Sequence, residues 1–227
     1  MTEPLLEDFM GQGIFKRYEE LPKLCYLCGR DDVELTKDDL PPKCLFPEAE
    51  WHRLLKVPAC YSCNNKRKKD DEYLRNYVTI WSGKRIVLPE VWEKMERSFY
   101  YRPSLLVGIQ KNMRLDWKYD ESGMLLPQHY VLAEKHRIDP VFDNIARGYW
   151  FARWGKRLST LQSPSFIGYD SGAEFWYNKT APLIVIPGMF QLKFNWYKEG
   201  AINISNWYLH FYKLSPFYLR FSWEQNN

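Results

Sequence analysis

The chain has 227 residues, with 45% hydrophobic residues, 17% aromatics and a formal net charge of +4 at pH 7 (pI ≈ 8.7). That length and apolar content exclude a disordered chain and allow one sizeable core, or a small module beside a larger domain. The mild positive charge permits a nucleic-acid partner without arguing for one.

In chain order, the acidic start "MTEPLLEDFMGQG" lacks the basic and apolar regions of a signal peptide, and no run of about 18 apolar residues follows. The expectation is a cytoplasmic protein with no membrane association. Five cysteines come next, Cys25, Cys28, Cys44, Cys60 and Cys63, four of them in the pairs "CYLC" and "CYSC". An odd count without a secretory signal argues against a disulfide framework. Two C-x-x-C knuckles suit a tetrahedral four-thiolate zinc site made by Cys25, Cys28, Cys60 and Cys63. The 31 residues from 29 to 59 exceed zinc-ribbon spacing, so something is inserted between the knuckles. Two unrelated pairs, or a redox C-x-x-C, are the competing readings. Cys44 is left over as a small apolar residue near the site.

Between the knuckles lies "LTKDDLPPKCLFP", and the second knuckle opens "VPACYSCNNKRKKDDEYLR". Over residues 22 to 75 this order of pieces resembles the zinc-bearing HNH endonucleases, with a pattern like C-x-x-C, (D/E)-H-x-x-P, C-x-x-C-N. A weaker similarity continues through residues 137 to 158, which look like a helix downstream of such modules. The resemblance implies a ββα-metal fold, a histidine acting as general base on water, a central asparagine orienting it, and a third His or Asn beside a divalent cation such as Mg²⁺ or Mn²⁺. Carried over, Asp38 falls on the acidic position, Asp39 on the histidine and Asn64 on the third residue. Arg53 falls near the central asparagine, with His52 adjacent.

The chain therefore departs from the pattern at its most demanding position. A carboxylate near pKa 3.9 is a weaker proton acceptor at neutral pH than an imidazole near 6.5. Three readings of Asp39 follow: a natural pseudo-nuclease, a substitution that inactivates a working enzyme, or a rewired site with His52 as base. A fourth makes "KDDLPP" a turn, with Asp capping and Pro ending a strand. Lys66, Arg67, Lys68 and Lys69 fall where such a module's helix would face a phosphate backbone, although a solvated helix start reads the same way. Two functions stand: a nucleic-acid- or protein-binding subunit with a degenerate site, in the phage-defence or counter-defence setting where these modules are common, or a metal-dependent endonuclease cleaving DNA.

The remaining elements read coarsely as α+β. Helices are expected over residues 71–82, 89–101 and 102–114, and a strand pair over about 115–131 turns at "ESG". Asp139 and Pro140 supply the cap and first turn of a helix at 140–155. An antiparallel aromatic-rich sheet follows over about 173–223, joined late at "KLSP". Its alternation makes Trp207, Tyr208, Phe211, Tyr218 and Trp223 a sheet core with one partner surface, in preference to a base-stacking platform. His129, His136 and His210 show no ligand spacing. The expected division is a zinc module at 1–80 and an α+β domain at 81–227.

Overall fold

The computed structural model describes residues 15–120, 122–158, 165–167, 182–199, 202–212 and 217–224. The class is α+β, with every strand pairing antiparallel.

The first unit is a strand pair followed by helices. Strand β1 (Leu35–Leu40) pairs with β2 (Leu55–Cys60), Leu35 facing Cys60 and Leu40 facing Leu55. The "KDDLPP" stretch is thus strand up to Leu40, and the prolines end it. Helices α1 (Tyr61–Lys66) and α2 (Lys68–Ser82) follow β2 directly and meet at Arg67. Helix α2 buries Tyr73, Leu74, Tyr77 and Val78, an i, i+1, i+4, i+5 stripe, and closes on Gly83, whose φ of +79° suits glycine.

Helices α3 (Pro89–Tyr101) and α4 (Pro103–Lys111) each begin with proline at N1, where the missing N–H costs nothing. The hairpin β3 (Met113–Tyr119) and β4 (Leu125–Val131) forms a two-stranded sheet of its own. Helix α5 runs Lys135–Trp154, one turn longer at its start than Asp139 and Pro140 suggest, with Pro140 inside it. Tertiary contacts extend it: Ile138 is buried, and Arg137 pairs with Asp70 and stacks on the Tyr73 ring. The remaining strands, β5 (Ser165–Ile167), β6 (Pro182–Ile186), β7 (Phe190–Glu199), β8 (Ile202–Phe211) and β9 (Phe217–Glu224), form one sheet in the order β5-β9-β8-β7-β6. Residues 173–181 and the "KLSP" junction of the expected sheet lie outside the described residues.

Helix α5 packs on α2 and on the β1-β2 pair, and a single buried cluster runs from Leu40, Phe46 and Val57 through Phe142 to Phe190 and Phe211. The core is continuous across residue 80. Trp207 and Phe211 are buried in it, and Tyr208 is buried as well, so these three rings are not available for stacking bases. Among the described residues, no helix is long and apolar enough to cross a membrane.

Candidate metal centre and adjoining cleft

The two knuckles converge because each is fixed by backbone geometry. In the first, the Cys25 N–H donates to the Arg30 carbonyl and the Gly29 N–H to the Cys25 carbonyl, with Gly29 at φ +82°. The Tyr26 N–H donates to the Pro58 carbonyl at 2.9 Å and so pins that knuckle to β2. The second knuckle is the end of β2 running into α1, where the Cys60 thiol caps the helix by accepting from the Cys63 N–H at 3.5 Å.

The four sulfurs of Cys25, Cys28, Cys60 and Cys63 lie within 4.8 Å of one another. Zn–S bonds of about 2.3 Å in a tetrahedron place sulfurs about 3.8 Å apart. Cys28 Sγ and Cys60 Sγ are 3.8 Å apart. The set therefore fits a metal ion such as zinc, held in a closed site with no open position for chemistry. No disulfide joins the described cysteines. Burial works against a Cys25 thiolate, but the N–H groups of Cys28, Cys60 and Leu27 bring its pKa down to about 7. Burial and neighbouring thiols push Cys63 up. A bound cation would reverse that, since a metal deprotonates its thiols outright.

Beside this centre, β1, α1 and the start of α2 enclose a cleft of 380 Å³, lined among others by Thr36, Asp38, Asp39, Lys43, Asn64, Lys68 and Asp71. Consecutive strand residues point to opposite faces, so Asp38 and Asp39 do different things. Asp38 is buried; its Oδ2 accepts from the Tyr26 hydroxyl at 2.8 Å and from Arg67 Nη2. Asp39 sits opposite Lys56 in the strand register and takes an ion pair from Lys56 Nζ at 2.5 Å. Asn64 Nδ2 donates to Thr36 Oγ1 at 3.0 Å, and Thr36 Oγ1 donates to the Ala59 carbonyl.

Burial pushes the Asp38 carboxyl upward, while Arg67 and the Tyr26 hydroxyl oppose that shift. Burial disfavours the Arg67 cation, but Tyr26, Asp38 and Asp71 more than offset it and its pKa is raised. Asp71 carries the larger consequence. Burial pushes it to about 7, with Arg67 pulling down and Asp38 pushing up, and its Oδ1 is buried without a hydrogen-bond partner.

Of the residues singled out in the sequence, the structure gathers the four knuckle cysteines into one cluster and places Asp38, Asp39, Asn64 and Lys68 around one cleft. Three others are corrected. Arg67 is buried on Asp38 and cannot face a phosphate backbone, whereas Lys66, Lys68 and Lys69 are exposed. Arg53 and His52 do not line the cleft: their short 3-10 helix Glu48–Arg53 turns Arg53 onto Glu50 and His52 Nδ1 toward the Ala49 carbonyl. Neither is placed to orient or replace a base. Cys44 does border the cleft, its thiol donating to the Asp71 carbonyl and pushed up to about 12, chiefly by burial. Sequence reasoning missed Tyr26, Lys56 and Asp71. Only Tyr26 carried a signal, as an aromatic inside a knuckle.

Comparison with protein-family models, with curated proteins and with solved structures returns no match for this chain.

Proposed function

We propose that the chain is a nucleic-acid-binding subunit on an HNH-like scaffold, with the knuckle metal retained for structure and hydrolysis lost. One observation carries the reading: Asp39, at the position where the resemblance calls for an imidazole base, is paired to Lys56 across the strands. The adjacent Asp38 is tied down by Arg67 and Tyr26, so it is no free ligand for a Mg²⁺ or Mn²⁺ ion. What the cleft and its rim do offer is positive charge, from Lys37, Lys43 and Lys68 on the lining and Lys66 and Lys69 beside it. Such cations bind phosphates without reading sequence. The same resemblance supports a phage-defence or counter-defence setting.

The test is duplex DNA binding over a salt series, run with a cleavage assay containing Mg²⁺ or Mn²⁺. Binding without cleavage is expected. Replacing Lys66, Lys68 and Lys69 by alanine should flatten the slope of log K against log salt by about 2 to 3. Metal-dependent cleavage abolished by Asp39→Ala would make the protein an endonuclease instead, and no binding at low salt would point to a protein partner.

A further inference from the structure

The β3-β4 hairpin is open to solvent along β3 and at the start of β4. Every residue of β3 is exposed, including Leu115 at 53%, Trp117 at 55% and Tyr119 at 74%. Met113, Leu115, Trp117 and Tyr119 share one face, with Leu125 and Pro127 opposite the last two; the charged residues Arg114, Asp116 and Lys118 lie on the other. An isolated two-stranded hairpin is marginal in water, and this one presents a continuous apolar face without a cover among the described residues.

Backbone parity decides which edge can accept another strand. The Leu132 N–H bonds the Asn112 carbonyl, and the Asp120 N–H bonds the Met124 carbonyl. Even-numbered β3 residues therefore bond β4, and residues 113, 115, 117 and 119 turn their N–H and C=O groups to the outer edge. On β4, the outward position opposite Trp117 is Pro127, which has no N–H, and the outward Val131 carbonyl is taken by the Tyr77 hydroxyl at 3.1 Å. The β4 edge is blocked in the way natural edge strands are protected. The β3 edge is not.

The sequence of that open edge, Arg114-Leu115-Asp116-Trp117-Lys118-Tyr119-Asp120, is self-complementary when run antiparallel about Trp117. Arg114 then faces Asp120, Asp116 faces Lys118, Leu115 faces Tyr119 and Trp117 faces itself. Centring the pairing on Asp116 would instead oppose Arg114 to Lys118 and Asp116 to its own copy, which is repulsive. We infer that two copies of this chain associate through β3, antiparallel about Trp117, to form a continuous four-stranded sheet with one apolar face. In the single chain the Trp117 N–H is bonded by Asp116 Oδ1 at 2.8 Å. Pairing transfers that N–H to the partner's Trp117 carbonyl and frees the Asp116 carboxylate for Lys118 of the partner copy. Asp120 keeps Oδ1 on the turn donors Ser122 and Met124, leaving Oδ2 for Arg114 of the partner copy.

Sedimentation velocity from about 1 to 200 µM chain should show a reversible monomer–dimer equilibrium. Asp116→Lys converts two attractive cross-strand pairs into two repulsive ones and should weaken the dimer at least about tenfold. The double variant Asp116→Lys, Lys118→Asp restores both pairs in reversed sense and should recover dimerisation. Far-UV circular dichroism confirms that all three chains are folded alike. A chain that stays monomeric throughout, a dimer indifferent to Asp116→Lys, or a double variant no better than the single one would each overturn the inference.

Discussion

The surroundings of Asp71 oppose the ionised form that its side chain takes in water. Its carboxyl is raised from 3.8 to about 7, first by burial, and one oxygen has no hydrogen-bond partner. Because the folded pKa lies above the unfolded one, the folded chain binds the extra proton between about pH 4 and 7. Its contribution to stability is full below pH 4 and is lost as pH rises through 7. Asp71→Asn removes that ionisation. At pH 8 the variant should exceed the parent by about 2 kcal/mol in urea unfolding, with the difference shrinking toward pH 5. A difference independent of pH would mean that Asp71 does not titrate in this window. Arg67 next to it shows why a cation in a run is not automatically a surface charge. Its neighbours Lys66 and Lys68 are exposed, while the turn between α1 and α2 directs Arg67 inward to Asp38.

At the scale of elements, the β1-β2 pair and helix α1 are held by what joins their ends. Cys60 is at once the last residue of β2, the cap of α1 and a member of the sulfur cluster. A metal there closes a loop from the first knuckle to the second, and its binding energy becomes folding energy for the segment between them. Elemental analysis of the purified chain should give about one zinc per molecule. Chelation, or Cys60→Ser, should release it and remove hydrogen-exchange protection from β1, β2 and α1. A metal-free chain with that protection intact would refute the assignment.

Across the whole molecule, the N-terminal unit and the C-terminal sheet are joined both through α5 and by direct contact. The Tyr149 hydroxyl donates to the Leu40 carbonyl at 3.0 Å, and the Tyr212 hydroxyl of the sheet donates to the Leu45 carbonyl. Phe142 packs on Phe217 at 4.8 Å and Phe46 on Phe190 at 6.2 Å between ring centroids. Helix α5 and β1 approach closely at Gly148, where an added Cβ would stand 2.1 Å from Leu40 Cδ1. In a helix interior, Gly→Ala ordinarily gains about 0.5–1 kcal/mol. Here Leu40 is 1% exposed and has nowhere to go, so overpacking wins. Gly148→Ala should cost about 1–3 kcal/mol, read as a lowered unfolding midpoint. A stabilised variant would show that α5 and β1 are not packed this closely.

What the sequence determined alone was local and chemical. Spacing within each knuckle is a short-range property, so the four-cysteine set was legible from residue order alone. So were the helices at 71–82 and 89–101, whose apolar periodicity, prolines and glycine act within a few residues. Tertiary structure decided the rest, because it depends on what meets across the fold. No local signal says that Lys56 stands opposite Asp39, because strand register pairs residues 17 positions apart. None says that Arg67 turns inward, or that Asp71 is buried beside Asp38. The turn of helix ahead of Pro140 is invisible to local signals for the same reason: Ile138 and Arg137 find their partners in the core and in α2. Residue type proposes a charge or a ligand, and the neighbours brought by the fold determine which of them remains free to act.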